Sequence, residues 1–230
     1  MKPVLVFDYD GTLHETMRVY KPGIEGAVKW LRRVHGVDAY MPSDQRIRRW
    51  LGMNTADMWK DFMPRLSPSF KQQAGRLVGE IMLEEIRAGH GRWYPGVTQK
   101  LDALKQKGYT MVVLSNCERD YADLNREVFG MDRWFDAFYD CASFGYIPKE
   151  EIMKRVAAHY REKNGAENTG FVVIGDRGSD YLAAQSVGAQ FIWCAYGYGA
   201  REEFPEDRLS VIEDPSKPVV GDFCSILAQG

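Results

Sequence analysis

The sequence predicts an α/β protein: a doubly wound parallel sheet carrying an α-helical domain inserted after its first strand. Three observations carry that prediction. Val4-Leu5-Val6-Phe7 and Phe171-Val172-Val173-Ile174 are short unbroken apolar runs, the pattern of strands buried on both faces. From Val97 onward, helical spacing alternates with further short apolar runs, as in a sheet wound with helices. Between residues 14 and 92 the spacing is helical throughout and no convincing strand appears.

In order, the first strand ends in Asp8-Tyr9-Asp10-Gly11-Thr12, two acids and a glycine able to turn the chain sharply. Ile24, Ala27, Val28 and Leu31 then mark one face of a helix that Pro22 and Gly23 are expected to open and Gly36 to close. A second helix follows the N-cap Ser43 and ends at Leu51-Gly52, and a third runs from Asn54 toward Pro64. Phe70, Ala74, Leu77, Ile81 and Met82 give the face of a longer one that stops by Gly89 and Gly91. Trp93-Tyr94-Pro95-Gly96 reads as the return hinge. The expected division is therefore a sheet domain from residues 1–13 and 93–230, and a helical domain from 14–92.

After the hinge, a helix with Val97, Leu101 and Leu104 on its buried face leads to the strand Thr110 to Leu114, which ends at Ser115-Asn116. A helix from about Glu118 to Val128 precedes a short strand at Phe138-Tyr139. Lys149 opens the next helix, buried through Ile152, Val156 and Tyr160. The strand Phe171 to Ile174 ends, like the first, in acids: Gly175-Asp176-Arg177-Gly178-Ser179-Asp180. The helix after it closes at Gly188, a fifth strand spans Gln190 to Cys194, residues 213–218 are turn-rich, and a short helix is expected from Asp222.

With 30 basic and 32 acidic residues in 230, the net charge is −2, so no global field draws the chain to nucleic acid or to an anionic membrane. No apolar run is long enough to span a bilayer, the short lead before Val4 leaves no room for a targeting segment, and the expectation is a cytoplasmic protein. Cys117, Cys141, Cys194 and Cys224 show no metal-binding spacing and read as reduced thiols, with Cys117, just past a polar strand end, expected to be open to oxidation.

Parallel strands deliver their carboxyl ends to one edge of the sheet, so Asp8, Asp10, Ser115, Lys149, Asp176 and Asp180 are expected to meet in one crevice. Four carboxylates there repel one another. A hard divalent cation resolves the conflict, and Mg²⁺ is favoured because it binds through few carboxylates together with water and substrate phosphate. Ser115 and Lys149 suit the outer oxygens of a phosphoryl group.

These motifs, in this order and at these strand ends, resemble those of the haloacid dehalogenase-like superfamily of phosphohydrolases, whose core is Rossmann-like. Asp8 to Thr12 matches its first motif, Ser115-Asn116 its second, Lys149 its third and Gly175-Asp176 through Asp180 its fourth. The helical insertion matches the family's cap. The resemblance implies that Asp8 attacks phosphorus and becomes an aspartyl phosphate. Asp10 is then the acid and base, touching the metal through its backbone carbonyl only. Asp8, Asp176 and Asp180 complete the metal set, Asp180 through water or as an orienter. Gly11, Thr12, Ser115, Asn116 and Lys149 would bind the phosphoryl group, with Thr12 also fixing Asp10. An acid at position 10 argues for phosphoryl transfer over dehalogenation, because an alkoxide needs a proton to leave and a halide does not.

The expected activity is a Mg²⁺-dependent phosphatase for a small phosphorylated metabolite, phosphoglycolate-like or another phosphomonoester. A phosphomutase of the same family and a non-catalytic binder of metal or phosphate are the alternatives. As a partner the reading names only that metabolite, with no nucleic acid and no membrane, and it leaves the oligomeric state open. Several residues also have plainer readings. Lys154 is a substitute for Lys149. At least two of Arg46, Arg48 and Arg49, beside Trp50, belong to a solvated face, and Gly52 marks a turn facing the crevice. His14 is a hinge residue rather than a ligand, and Arg177 is either a rim ion pair or solvated.

Overall fold

The computed structural model describes residues 2–53, 55–165, 169–205 and 209–214. Six parallel strands form its sheet in the order β3-β2-β1-β4-β5-β6: β1 Val4–Phe7, β2 Met111–Ser115, β3 Ala137–Asp140, β4 Phe171–Gly175, β5 Gln190–Cys194 and β6 Ser210–Ile212. β1 lies at the centre, Phe7 pairing with Val113 on one side and Ile174 on the other. Strand order reverses between β1 and β4, and the carboxyl ends there open the crevice in which ligands of such sheets bind.

The two-residue period of the strands sorts the core into two layers. Leu5, Phe7, Met111, Val113, Val172 and Ile174 face one side, where they meet α5 (Val97–Gln106) and Tyr121 of α6 (Arg119–Val128). Val4, Val6, Val112, Leu114 and Val173 face the other, against Ile152, Val156 and Tyr160 of α7 (Lys149–Asn164) and Ala183 and Ala184 of α8 (Gly178–Gln185). Both sides are covered, so the strands carry no polar alternation.

The described residues between 17 and 87 carry four helices, α1 Met17–His35, α2 Asp44–Trp50, α3 Thr55–Phe62 and α4 Pro68–Arg87, around their own core of Ile24, Leu31, Ile47, Trp50, Trp59 and Val78. Val19 of α1 and Ile86 of α4 instead join the core under the sheet, so these two helices reach into both bodies. Ser43 and Ser67 cap α2 and α4 by accepting from the amides of Arg46 and Phe70.

The start of α1 differs from the sequence expectation. The helix begins at Met17 and runs through Pro22, which lies inside it rather than at its first turn. Gly23 serves packing instead: a Cβ there would sit 2.9 Å from the carbonyl oxygen of Val78, and Gly26 is likewise covered by Ile81. These glycines let α1 and α4 approach closely, which offsets the hydrogen bond lost at the proline. The edge strand β6 was not expected, being three residues long with Val211 turned outward. Asn54, the expected start of the third helix, lies outside the described residues, as do residues 215–230 with Cys224 and the helix expected from Asp222. Among the described residues, no helix is long and apolar enough to cross a membrane.

Candidate active site

Asp8 leaves β1 with its amide still in register, donating to the carbonyl of Ile174 at 2.8 Å. Its carboxylate accepts from Lys149 Nζ at 2.6 Å, and the same ammonium reaches Asp180 at 2.5 Å. Lys149 gets there because it opens α7 on that helix's sheet-facing stripe, in step with Ile152, Met153 and Val156. Lys154 lies off that stripe, exposed and paired with Glu151, so it is no substitute. Asp180 stands in the first turn of α8, where its other oxygen accepts from the amide of Arg177 at 2.9 Å. Asp176, past the end of β4, accepts from the amide of Tyr198 at 2.6 Å.

Carboxylate oxygens of Asp8, Asp176 and Asp180 all lie within 4.8 Å of one another, and all three residues are buried. Among the described residues, Lys149 supplies the one ammonium hydrogen-bonded to them. Burial, and then the charge of Asp180, pushes Asp176 up to about 7 and raises Asp8 well above the ordinary carboxylate range, against the pull of Lys149. Burial also works against the charge on Lys149, but Asp180 and Asp8 outweigh it and hold the ammonium above its usual value. Hard oxygen donors carrying surplus negative charge in a dry crevice fit a divalent cation.

Asp10 stands apart from this cluster. Its Oδ1 accepts from Thr16 Oγ1 at 2.6 Å and from the Tyr121 hydroxyl at 2.8 Å, so its side chain is no member of the carboxylate set. Burial raises its pKa, and those two hydrogen bonds oppose the rise. The expectation that Thr12 fixes Asp10 is corrected: Thr12 Oγ1 points to Asp176 at 3.5 Å, and Thr16 takes the role. The amides of Gly11 and Thr12, expected to hold a phosphoryl group, are spent inside the turn on the carbonyls of His14 (3.0 Å) and Tyr9 (3.3 Å). Gly11 is needed for its φ of 89° and because a Cβ would run into Asp176 and the Tyr198 ring.

Ser115 is buried at the end of β2, and the carbonyl of the half-buried Asn116 accepts from the Cys141 thiol at 3.0 Å. Cys117 corrects another expectation: it packs against the core, and burial followed by the charge of Asp10 raises its thiol pKa, the opposite of a reactive cysteine. His14 is fully buried, joined by backbone pairing to both Asp10 and Trp93, and burial lowers it to about 3. It is neutral, and it lies outside the carboxylate cluster.

Of the arginines on α2, Arg46 pairs with Asp61 beside Trp50, whereas Arg48 crosses to the sheet domain, donating to the Gly197 carbonyl at 3.2 Å over the Tyr198 ring. Arg49 is exposed. Arg177 ties the two bodies from the other side, through Glu203 at 3.0 Å and the carbonyl of Leu51, with its stem against Gly52. Sequence reasoning missed Thr16, Tyr121 and the Gly197-Tyr198-Gly199 loop. The glycines of that loop were a visible signal: a Cβ on Gly199 would overlap the carbonyl oxygen of Asp176.

One cluster of three carboxylates, a buried lysine and a separately held acid thus meet at the switch point of the parallel sheet. A family model described as haloacid dehalogenase-like hydrolase matches residues 3–188, and the chain belongs to that family. It is 31% identical to the phosphoglycolate phosphatase of Agrobacterium fabrum, over 98% of this chain and 91% of that one. To the 5'-nucleotidase of Pseudomonas aeruginosa it is 26% identical, over 87% and 86% of the two chains. Among solved structures, a predicted phosphoglycolate phosphatase from Haemophilus somnus superposes with a TM-score of 0.77 at 21% identity, covering 98% of this chain and 97% of that one, which supports the fold.

Proposed function

We propose that the protein is a Mg²⁺-dependent phosphatase that hydrolyses a small phosphorylated metabolite, phosphoglycolate or a similar phosphomonoester, through an aspartyl phosphate on Asp8. The observation that carries this reading is the separation of the two acids: Asp8 lies in the carboxylate cluster against Lys149, while Asp10 is held outside it by two hydroxyl groups. A nucleophile must stay ionised while an acid must part with a proton, and two carboxyls perform those tasks only in different surroundings.

In this reading Asp8 attacks phosphorus as the bond to the leaving oxygen breaks, and Asp10 gives that oxygen its proton. Water then attacks the aspartyl phosphate, Asp10 takes the proton back, and Asp8 is released with inorganic phosphate. Lys149 holds Asp8 in place and neutralises charge gathering on the phosphoryl oxygens, with Ser115 and Asn116 at the end of β2 supplying further donors. Asp8, Asp176 and Asp180, with the backbone carbonyl of Asp10, would hold Mg²⁺, which when bound supplies charge to offset the phosphoryl oxygens. The helical insertion acts as a cap over the crevice, tied to the sheet domain through Arg48 and Arg177. Three free thiols among the described residues agree with a cytoplasmic location.

The test is phosphate release from a panel of sugar phosphates, nucleotides and phosphoglycolate, with Mg²⁺ and with chelator. Asp8→Asn should lower kcat by about a thousandfold or more and abolish acid-stable labelling of the protein by substrate phosphate. Undiminished hydrolysis by this variant would remove Asp8 as nucleophile, and turnover only in the presence of a sugar bisphosphate would mark a mutase instead.

A further inference from the structure

Tyr121 enters the site from α6, 111 residues along the chain from Asp10, and nothing in the four motifs calls for it. Its hydroxyl is buried and donates to Oδ1 of Asp10 at 2.8 Å, the same oxygen that accepts from Thr16 at 2.6 Å. Two donors fill the two lone-pair directions of one carboxyl oxygen. Oδ2 has no partner among the described residues, and the Asp10 side chain is 18% exposed, against 8% for Asp8 and 1% for Asp180.

The hydroxyls are themselves held. His14 Nδ1 lies 3.0 Å from Thr16 Oγ1 and 3.2 Å from the Tyr121 oxygen. Thr16 is closer to Asp10 (2.6 Å) than to its other acceptor, the His14 carbonyl (3.3 Å), and with both hydroxyl protons turned to Asp10 these oxygens are acceptors, which assigns the His14 proton to Nδ1. The tautomer is consistent with Nε2, which is buried without a hydrogen-bond partner among the described residues, on a ring that meets Phe129 edge-on with centroids 5.7 Å apart: a bare lone pair there is tolerated better than an orphaned N–H. The Tyr121 backbone is fixed by Asn125, whose amide donates to its carbonyl at 2.8 Å. Asn125 accepts in turn from Tyr9 at 2.7 Å, and Tyr9 from Trp93 at 3.2 Å.

We propose that Tyr121, together with Thr16 and braced by His14, is a positioning residue for Asp10: it occupies Oδ1 so that Oδ2 is the oxygen that meets the leaving group. The proposal deepens the reading of Asp10 as acid and rests on it. The proton passes from Asp10 Oδ2 to the leaving oxygen while the bond between that oxygen and phosphorus breaks. Tyr121 keeps its own proton throughout.

A merely structural tyrosine would, when altered, impair all substrates alike. A residue that aims the acid matters in proportion to how much the leaving group needs a proton. The experiment compares kcat/KM for β-glycerophosphate, which leaves as an alkoxide, with that for 2,4-dinitrophenyl phosphate, which leaves unaided, using the full chain with Mg²⁺. This ratio reports the first transfer alone, so any loss in the shared second step drops out.

Tyr121→Phe keeps the ring and removes only the donor. It should lower kcat/KM for the glycerol ester by about ten- to a hundredfold, part of the roughly hundred- to ten-thousandfold that a placed acid supplies, and leave the aryl ester within about threefold. Thr16→Val should show the same split, so the proposal remains testable if either variant folds poorly, and Thr16→Ser should restore it. Equal losses on both esters, or none on either, would overturn the role of Tyr121. Asp10→Asn serves as the reference: a split there without one in Tyr121→Phe overturns the positioning role alone. The absence of a split in Asp10→Asn overturns the acid assignment and the proposal with it.

Discussion

Replacing Lys149 by methionine should cost the metal-free protein much of its stability at pH 8 and far less at pH 5. The ammonium is buried and bonded to Asp8 at 2.6 Å and Asp180 at 2.5 Å. Removing one partner from a buried ionic group typically costs about 3–5 kcal/mol, because the charges left behind are uncompensated. For a chain of this size each kcal/mol shifts the melting temperature by about 2–4 °C, so the expected fall at pH 8 is roughly 6–20 °C.

The pH dependence follows from the carboxyls. Asp176 sits at about 7 in the folded state, and Asp8 is also raised, so between the ordinary carboxylate range and neutrality the folded protein holds more protons than the unfolded one. Stability of the metal-free protein therefore falls as pH rises through that window. Lys149 is raised, so it stays charged from pH 5 to 8, and any pH dependence of what it contributes comes from the carboxyls around it. At pH 5 protonated carboxyls no longer need it, and the loss should shrink to a few degrees. Thermal melts of both proteins in chelator at the two pH values measure this directly. A shift below about 2 °C at pH 8, or an equal shift at both values, would refute the charge balance described for the site.

Two further outcomes are expected. Gly199→Ala would force a Cβ into the carbonyl oxygen of Asp176, which is backbone and cannot step aside, so the variant should lose activity and should fail to show the rise in melting temperature on adding Mg²⁺ that the proposed function predicts for the parent protein. Cys117, half-buried against the core with a raised thiol pKa, should react slowly with iodoacetamide at pH 8 in the native protein and faster on unfolding in urea, which mass spectrometry of the labelled peptide would show.

The strands and their acids were legible because two buried runs each stopped at carboxylates, and a parallel sheet gathers such ends at one edge. Lys149 was legible too, since the spacing to Ile152 and Val156 sets it on the buried stripe of α7. Thr12 and Thr16 were not separable. Both hydroxyls lie close to Asp10 in the chain, and only the left-handed turn at Gly11 sends one toward Asp176 and the other toward Asp10. Pro22-Gly23 misled for a related reason: the pair reads as a helix opening, yet here the missing Cβ of Gly23, like that of Gly26, serves contact with a helix more than fifty residues away. Tyr121 gave no signal, because a hydrogen bond across 111 residues has no local pattern.

The same turn explains how two acids so close in sequence reach different surroundings. Alternation along β1 sends Val4 and Val6 to the layer of α7 and α8, so Asp8, next in that series, meets Lys149 of α7 and lies with Asp180 of α8. Leu5, Phe7 and Tyr9 face the layer of α5 and α6, and the Tyr9 hydroxyl accordingly reaches Asn125 of α6. Continued alternation would put Asp10 beside Asp8, adding one more charge to a cluster already short of cations. The turn at Gly11 and the backbone pairing of Asp10 with His14 break the series, and Asp10 crosses to the layer of α6, where Tyr121 receives it. Both layers of a doubly wound sheet thus contribute one environment each to a single catalytic edge, and the chain needs one glycine to pass between them.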